Sequence, residues 1–399
     1  MSGRRADLAI VGGGLSGGLI ALALRQARPE LDVVLLESGE MLGGNHRWSW
    51  FDTDLDEAGH ALMAPFRKAE WRGYDVFFPD HSRSLDASYF SLASSDFDPG
   101  LRRELAQDTI RTNREVVHCT PDSVTLADGE VIPARAVIDC RGFGPAHHLR
   151  GGWQVFMGRH MRTSKPHGIS RPVIMDACVE QLGGYRFVYV LPLGARDIFF
   201  EDTYYKDDPV LDRSALSSRL DQYAREQGWD GEIIGSETGV LPVISGGDFR
   251  AFRREQQLDR MPQAGTAALL AHPLTSYTVP QAVETAQLVA ANADLPGDQL
   301  AALLASHAQR HWNRTSYYRL LGRLLFDAAA PNKRYRIFQR FYRLDERLIE
   351  RFYAAQSAPF EKFRVLAGKP PVSILRAIGA IFGKSQPLVM SNDRKAHGA

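Results

Sequence analysis

The sequence predicts an α/β protein in which a parallel, helix-covered sheet is joined to a mixed β-sheet and followed by a helical region. Three observations carry this prediction. A strand, a glycine turn, a helix and a second strand succeed one another within residues 6–40. Short aromatic runs with strand character fill the middle of the chain, and helical periodicity dominates from residue 297 onward. This succession is typical of α/β proteins that carry an additional helical part.

The composition is that of a globular protein with more than one domain. The chain has 399 residues, of which 44% are hydrophobic and 24% are charged, values that suit two domains and an appendage. The net charge of +1 gives no reason to expect a nucleic-acid partner. The three cysteines lack metal-ligand spacing, so we expect reduced thiols, a cytoplasmic protein and no metal. No signal peptide is recognisable, and no apolar run has the roughly 18 residues of a membrane span.

The first 40 residues predict a dinucleotide-binding site. "DLAIV" has the pattern of a buried strand, a GxGxxG motif follows at 12–17, and a second strand, "DVVLLE", ends in Glu37. The glycines allow a tight turn and close approach of the backbone to a pyrophosphate, which the helix N-terminus would bind. An acid at Glu37 would accept hydrogen bonds from ribose hydroxyls, so we expect FAD or NAD rather than NADP. The predicted contacts are Gly12, Gly14, Leu15, Ser16, Gly17 and Glu37.

Three further stretches favour FAD over NAD. "LGGNHRWSWF" (42–51) follows the second strand, where many flavoproteins place loops around the isoalloxazine ring. Residues 109–142 read as short strands with a hairpin turn at Asp128-Gly129, an order similar to that of glutathione-reductase-type flavoproteins. Residues 265–293 read as a strand, a turn and a helix, which such flavoproteins place near the ribityl chain and pyrophosphate. The contacts predicted here are Gly44, Asn45, His46, Val117, Arg141, Gly142, Pro273, Thr275, Ser276 and Tyr277.

Taken together, these stretches resemble the bacterial lycopene β-cyclases of carotenoid biosynthesis. One departure is Ser276, where relatives are expected to have glycine. The matching segments follow the family's order over roughly residues 8–290 and are "AIVGGGLSGGLIALAL", "LGGNHRWSW", "PHGISRPVIMDACVEQLGGYRFVYVLPL", "FFEDTYY", "GVLPVI" and "HPLTSYTVPQAV".

The resemblance implies a cyclisation without net redox change. The ψ-ends of lycopene would close to β-rings, giving β-carotene by way of γ-carotene. The reaction would begin with a proton and pass through a carbocation. The cofactor would be FAD in its reduced form, FADH2 or FADH−, with NAD(P)H as the reductant. The alternative from the same scaffold is an FAD-dependent hydroxylase or reductase of a hydrophobic isoprenoid substrate, which would consume NAD(P)H in every turnover.

The stretch "FFEDTYY" (199–205) holds the expected acid. Neighbours in a strand point to opposite faces, so we expect Glu201 to face an apolar cavity as the general acid, because burial raises the pKa of a carboxyl group. Asp202 would face the other way or tune Glu201. The catalytic residues predicted are therefore Glu201 and Asp202, and the resemblance favours Glu201. Two alternatives stay open: an ion pair of Glu201 with Arg186 or Arg196, and Asp202 as the acid itself.

The C-terminal part is basic and aromatic. Residues 333–384 contain twelve Lys/Arg and four Asp/Glu, an excess of eight positive charges. Their apolar stripes predict either a helical cap on the core or a surface that lies on an anionic bilayer. For a substrate as insoluble as lycopene we expect peripheral association with the inner face of the bacterial membrane, and other carotenoid-pathway enzymes as partners.

The predicted architecture combines these parts. A glutathione-reductase-type, Rossmann-like FAD-binding domain would comprise residues 1–45, 109–149 and 241–296. A mixed β-sheet substrate-binding domain would comprise residues 46–108 and 150–240. A helical C-terminal region, with a proposed membrane contact, would comprise residues 297–399.

Overall fold

The computed structural model describes residues 5–144, 146–368, 373–383 and 385–388. Its strands, in chain order, are β1 (Ala6–Val11), β2 (Val33–Leu36), β3 (Arg47–Phe51), β4 (Ala69–Trp71), β5 (Tyr74–Phe78), β6 (His81–Leu85), β7 (Tyr89–Ala93), β8 (Ile110–Arg111), β9 (Val116–Thr120), β10 (Ser123–Leu126), β11 (Val131–Asp139), β12 (Leu149–Thr163), β13 (Val173–Asp176), β14 (Tyr185–Pro192), β15 (Asp197–Lys206) and β16 (Gly231–Gly247).

The helices alternate with these strands and then dominate the C-terminal part. They are α1 (Leu15–Ala27), α2 (Glu57–Met63), α3 (Ser94–Glu104), α4 (Arg213–Glu226), α5 (Phe249–Glu255), α6 (Val279–Ala291), α7 (Gly297–Arg314), α8 (Ser316–Arg323), α9 (Tyr335–Phe341), α10 (Glu346–Tyr353), α11 (Pro359–Leu366) and α12 (Ile374–Phe382). The structure confirms the predicted fold class, an α/β protein with several sheets and a helical C-terminal region.

The first sheet is the predicted nucleotide-binding core. Its strand order is β8-β2-β1-β11-β10-β9. The four strands β8, β2, β1 and β11 are parallel, and β10 and β9 are added in antiparallel orientation through the predicted hairpin. Helices α1 and α6 pack against each other and bury their apolar side chains in the same core as β1. The loop between β1 and α1 therefore opens at the carboxyl edge of a parallel sheet, where α/β proteins bind ligands.

The second sheet carries the aromatic strands. Its order is β16-β12-β15-β14-β13-β5-β6, and all neighbours are antiparallel except β13 and β5. A smaller sheet, β3-β7-β4, lies beside it. Helix α4 packs on one face of β15, against Phe200 and its neighbours. This leaves the face of β15 that carries Phe199 and Glu201 directed at a cavity.

The C-terminal helices cap the second sheet. Spacings of three and four residues predict a stripe, and all of its members except the exposed Asp345 are buried in the core that contains Tyr185 and Tyr205 of that sheet. The members are Phe338, Phe341, Tyr342, Asp345, Leu348, Ile349 and Phe352. Residues 335–353 do not form one continuous helix, because α9 ends at Phe341 and α10 begins anew after Asp345, whose side chain accepts a hydrogen bond from the Leu348 amide. An acid at a helix N-terminus is favourable, which explains the break.

Two local predictions differ from the structure. The strand expected after residue 265 is a 3-10 turn, Gly265–Ala268, because Gly265 and Leu269 adopt φ values of +70° and +58° that no strand contains. The predicted domain boundary at residue 241 falls inside β16, which pairs with β12 along its whole length. The division into domains itself stays a prediction.

Candidate active site

One elongated cavity joins the glycine turn to the aromatic sheet. Its volume is about 950 Å³, at the upper end of the range for small-molecule sites. At one end lie Gly12, Gly14 and Glu37, and at the other lie Glu201 and Glu237. The cavity brings together most of the predicted site residues, which are Gly12, Gly14, Leu15, Ser16, Glu37, Gly44, His46, Arg141, Gly142, Pro273, Thr275, Ser276, Tyr277 and Glu201.

The glycine turn has the geometry expected of a phosphate cradle. Gly12 has φ +100°, a left-handed conformation that favours glycine. A Cβ at Gly17 would clash with the Gly12 carbonyl oxygen, so Gly17 lets α1 pack onto the turn instead of lining the cavity. A Cβ at Gly14 would meet no protein atom within 4 Å. Open space beside the free amides of a helix N-terminus is what a pyrophosphate needs.

Glu37 closes the turn from the end of β2. Its Oε2 accepts a hydrogen bond from the Gly13 amide at 2.8 Å, and its Oε1 accepts one from the Gly39 amide at 2.8 Å. Both bonds hold the carboxylate at the cavity wall, in the position expected for a ribose contact. Opposite it, Arg141 forms an ion pair with Asp139 at the end of β11, at 2.7 Å.

Besides Gly17, three predicted site residues lie outside the cavity lining. Val117 is 57% exposed, and its neighbour Val116 lines the cavity instead, because side chains alternate along β9. Asn45 donates a hydrogen bond to the Ser236 carbonyl at 2.8 Å, which ties the loop before β3 to β16. Asp202, the third, belongs to the opposite face of β15.

The loop before α6 is held by a neutral histidine. The Nδ1 of His272 accepts hydrogen bonds from the amides of Leu274 and Thr275, at 3.3 and 3.2 Å. Burial lowers the pKa of His272 to about 3, so the ring is uncharged at neutral pH. Ser276 follows with φ +59°, a conformation in which glycine is unstrained. This conformation is the physical reason to expect glycine at this position in relatives.

Asp202 is a structural partner of Arg186. Its Oδ1 accepts a hydrogen bond from Arg186 Nε at 2.8 Å, and its Oδ2 accepts one from the Tyr204 hydroxyl at 2.9 Å. The ion pair is buried on both sides. This geometry gives no support to Asp202 as the acid. It also removes Arg186 as a partner for Glu201, and Arg196 is exposed in the turn between β14 and β15.

Glu201 faces the cavity and is 9% exposed. Its Oε1 accepts a hydrogen bond from Thr203 Oγ1 at 2.6 Å. Desolvation raises the pKa of Glu201 to about 7, and the hydrogen bond from Thr203 lowers it only in part. The carboxyl group is therefore substantially protonated at neutral pH, which a general acid requires.

Sequence reasoning missed two charged neighbours of Glu201. Glu237 of β16 lines the same cavity, and burial together with the charge of Glu201 raises the pKa of Glu237 well above its usual range. The guanidinium of Arg47 lies over the Phe199 ring, 5.2 Å from its centroid, and interacts with both carboxyl groups. The local sequence "GSETGV" does not indicate that Glu237 faces the cavity, because its position depends on the pairing of β16 with β12.

Aromatic hydroxyls line the wall next to Glu201. The Tyr89 hydroxyl is 3.0 Å from the Tyr189 hydroxyl and 2.8 Å from the Tyr277 hydroxyl. The Tyr189 hydroxyl also lies 2.9 Å from Ser49 Oγ. Burial raises the pKa of all three phenols, so they stay neutral. The wall is thus apolar in its ring faces and satisfied in its polar atoms, a suitable surface for a hydrocarbon.

The cavity fits a flavin dinucleotide by its own features. It is long, it begins at a glycine cradle, and Gly142 leaves a second open position where a Cβ would meet nothing within 4 Å. The Thr275 hydroxyl is buried at the cavity and has no hydrogen-bond partner among the residues that the structure describes. A buried polar atom without a partner is unfavourable, and a polar ligand atom would satisfy it.

Known proteins resemble this chain over most of its length. The family described as lycopene cyclase protein matches residues 7–378. The chain is 43% identical to a lycopene beta-cyclase of Pseudescherichia vulneris over 369 residues, 92% of this chain and 95% of that protein. It is 39% identical to the lycopene beta-cyclase of Pantoea ananas over 376 residues, 94% and 97% of the two chains.

Solved structures share the fold at much lower identity. A p-nitrophenol 4-monooxygenase of Pseudomonas putida DLL-E4 superimposes with a TM-score of 0.62 at 17% identity, over 88% of this chain and 99% of that chain. A geranylgeranyl bacteriochlorophyll reductase-like protein of Thermoplasma acidophilum gives 0.58 at 13% identity, over 92% and 97%. The likeness confirms the predicted fold.

Proposed function

The chain belongs to the lycopene cyclase family, and from this premise we infer that it is a lycopene β-cyclase, an enzyme that closes the ψ-ends of lycopene into β-rings. Identities of 39–43% to curated cyclases over most of the chain support this function. The alternative of a hydroxylase or reductase is supported only by structures that are 13–17% identical, and fold alone does not determine function.

The cofactor proposed for the glycine-turn end of the cavity is FAD. Gly12, Gly14 and the amides that open α1 would hold its pyrophosphate, Glu37 its ribose, and Thr275 a polar atom of the remainder. When bound in reduced form, the flavin supplies electron-rich, negatively charged surface that stabilises a nearby cation. NAD(P)H is the proposed source of that reduction.

Glu201 is the proposed general acid, and its buried, cavity-facing carboxyl is the single observation that carries this assignment. The proton of Glu201 would add to the terminal double bond of the ψ-end. The neighbouring double bond would then attack the cation, closing the ring, and a ring proton would leave to set the β double bond. One proton enters and one leaves, so no electrons are transferred. The aromatic wall and the carboxylate left on the enzyme face the positive charge.

The C-terminal helices support docking to an anionic bilayer. Helix α11 exposes Phe360 and Phe363, which are 70% and 72% exposed, and α12 exposes Leu375 and Ile378. Arg364 is exposed beside them on α11. Exposed apolar side chains with cationic neighbours are typical of helices that lie in the membrane interface. None of the helices in the described part of the chain combines the length and apolar character that a membrane crossing requires.

An anaerobic assay in heavy water tests the proposed chemistry. Lycopene would be supplied in anionic vesicles to enzyme whose FAD has been reduced beforehand, with no further reductant. We expect β-ringed products with one deuterium retained per ring. Products that form only while NAD(P)H is consumed would overturn the redox-neutral reaction. The Glu201→Gln variant, which keeps the shape of the side chain but cannot donate the proton, should lose cyclisation while it retains FAD.

A control separates loss of the acid from loss of a charge. Glu232 lies on β16 and is exposed, so Glu232→Gln removes a carboxyl group that does not reach the cavity. We expect it to cyclise at the wild-type rate. If Glu201→Gln binds FAD and cyclises as fast as this control, Glu201 is not the acid.

A further inference from the structure

A row of residues across the second sheet brings a second carboxyl group to Glu201. Tyr189 of β14 pairs with Glu201 of β15, Glu201 pairs with Gly158 of β12, and Gly158 pairs with Glu237 of β16. Directly paired residues in antiparallel strands present their side chains on the same face. Glu201 and Glu237 are therefore separated by one strand whose residue in that row has no side chain.

The glycine at position 158 makes this meeting possible. Strands lie about 4.8 Å apart, so the α-carbons of Glu201 and Glu237 are about 10 Å apart, a gap that two facing glutamate side chains can bridge. Both side chains line the same cavity, and each carboxyl group affects the pKa of the other. A Cβ at Gly158 would clash with the Phe199 ring and lie 3.3 Å from Glu237 Cγ. Any larger residue would fill the space in which the two carboxyl groups meet.

The charges around the pair are unbalanced unless the pair holds a proton. Arg47 of β3 is the cation that acts on both carboxyl groups. Asp96 acts on Arg47 and adds negative charge, and His160, the next residue on this face of β12, has its pKa lowered by burial and by Arg47. Asp202 acts on Glu201 from the opposite face and is paired with Arg186. Two ionised glutamates would thus face one guanidinium in a desolvated site.

We propose that Glu237 is a positioning residue that shares one proton with Glu201 across Gly158, so that the enzyme enters the reaction with one carboxylic acid and one carboxylate. The proposal rests on the cyclase function given above. The carboxylate makes loss of the shared proton to water unfavourable, because two like charges would then adjoin. It also leaves a second negative charge facing the cation once Glu201 has given its proton to the alkene.

The pH profile of cyclisation separates this role from a purely structural one. The acid is active while it is protonated, so the rate falls as pH rises through the pKa at which the pair loses its last proton. In Glu237→Gln that like-charge effect is gone and desolvation alone holds the proton on Glu201. We expect the alkaline limb to move down by at least about one pH unit, which is about a tenfold lower kcat above the limb, with KM unchanged. Glu237→Asp, which keeps the charge, should restore part of the shift.

Glu232→Gln is the control for Glu237→Gln, and comparing the two variants can contradict the proposal. Glu232→Gln, an exposed glutamate on the same strand, should keep the wild-type profile. If Glu237→Gln binds FAD and has the same alkaline limb as Glu232→Gln, the proposal is wrong. If the wild type does not cyclise lycopene at all, the proposed function itself is wrong, an outcome that differs from an unchanged pH profile in an active Glu237→Gln variant.

A second measurement compares the wild type with the double variant Glu201→Gln/Glu237→Gln, because burial alone would keep a proton on whichever glutamate remained in a single variant. Infrared difference spectra between them should contain a protonated-carboxyl band at pH 7 that disappears with the same pH dependence as the cyclisation rate. If the double variant binds FAD and no protonated carboxyl is lost on substitution at pH 7, the pair does not hold a shared proton.

Discussion

Neutralising two adjacent carboxyl groups of one strand should change stability in opposite directions. Glu201→Gln and Asp202→Asn are the same chemical change, one residue apart on β15. Glu201 is desolvated in the cavity without an ion pair of its own, whereas Asp202 is paired with Arg186 at 2.8 Å on the other face. We expect Glu201→Gln to stabilise the protein at alkaline pH and Asp202→Asn to destabilise it.

The magnitude for Glu201 follows from its pKa. Burial raises that pKa from 4.5 to about 7, a difference of about 2.5 units, which at about 1.4 kcal/mol per unit amounts to a limiting value of about 3.5 kcal/mol. Because the folded pKa lies above the unfolded one, the folded state loses this free energy as pH rises from about 4.5 to about 7. Glutamine does not ionise, so the variant should be more stable by about 3 kcal/mol above pH 7.5 and equal to wild type below pH 4.5.

The stability lost in Asp202→Asn can be estimated from Arg186, which would stay buried without its counter-charge. Arg186 and Asp202 have side chains that are 8% and 0% exposed, and breaking a buried pair by removing one partner costs about 3–5 kcal/mol. Asparagine can still accept one hydrogen bond, so we expect about 3 kcal/mol of lost stability at neutral pH. Replacing both partners with apolar residues should recover part of that loss.

Urea unfolding of the two variants and the wild type, at pH 5 and at pH 8.5, measures both effects. Equal stability of Glu201→Gln and wild type at both pH values would show that Glu201 ionises as freely as in water, which contradicts its assignment as the acid. A stable Asp202→Asn with a displaced pH profile of cyclisation would mean that the chemistry lies on the opposite face.

Three further predictions concern the cofactor end, the membrane and the helical cap. Gly14→Ala should fold normally, because its methyl group meets no described protein atom within 4 Å, but its affinity for FAD should fall about tenfold or more in a flavin titration. Gly17→Ala should lose both FAD affinity and stability, because its methyl group clashes with the Gly12 carbonyl oxygen. Phe363→Ser should weaken co-sedimentation with anionic vesicles several-fold, while Val210→Ser, at another exposed apolar residue, should not. Arg334→Met should lower the urea midpoint of unfolding. The buried guanidinium donates hydrogen bonds to three backbone carbonyls and to a carboxylate, and these acceptors would be left without that donor. An unchanged midpoint would mean that the helical cap does not depend on Arg334.

The nucleotide end was readable from the sequence because its determinants are local. The strand, the glycine motif, the helix and the acid lie within 32 residues, from Ala6 to Glu37, and each has a pattern with a known conformational cause. The same kind of reasoning placed Glu201 and Asp202 on opposite faces, since alternation in a strand depends only on neighbouring positions. It failed at Val117, where the predicted residue was one position from the one that lines the cavity.

The carboxyl pair could not be read in this way. Gly158, Glu201 and Glu237 lie on three strands that are separated in the sequence by two further strands, a helix and loops. Only the register of β12 with both β15 and β16 puts them in one row. A shift of one residue in either pairing would turn a glutamate to the other face. Arg47 arrives from a different sheet, so no spacing in the sequence relates it to either glutamate.

The two faces of β15 differ in what their carboxyl groups do: one contributes to stability and the other to the proposed chemistry. On the face covered by α4, charge is paired: Asp202 has Arg186 and Tyr204 as partners and contributes to holding the sheet together. On the cavity face the charges do not balance, because the carboxyl groups of Glu201 and Glu237 interact with the single guanidinium of Arg47. A carboxyl group that is to protonate an alkene at neutral pH must keep its proton until the substrate is bound. Desolvation without a dedicated counter-ion provides that state, because it raises the pKa. The stability that Glu201→Gln should gain at alkaline pH is therefore a direct measure of how far the fold drives this carboxyl group toward proton donation.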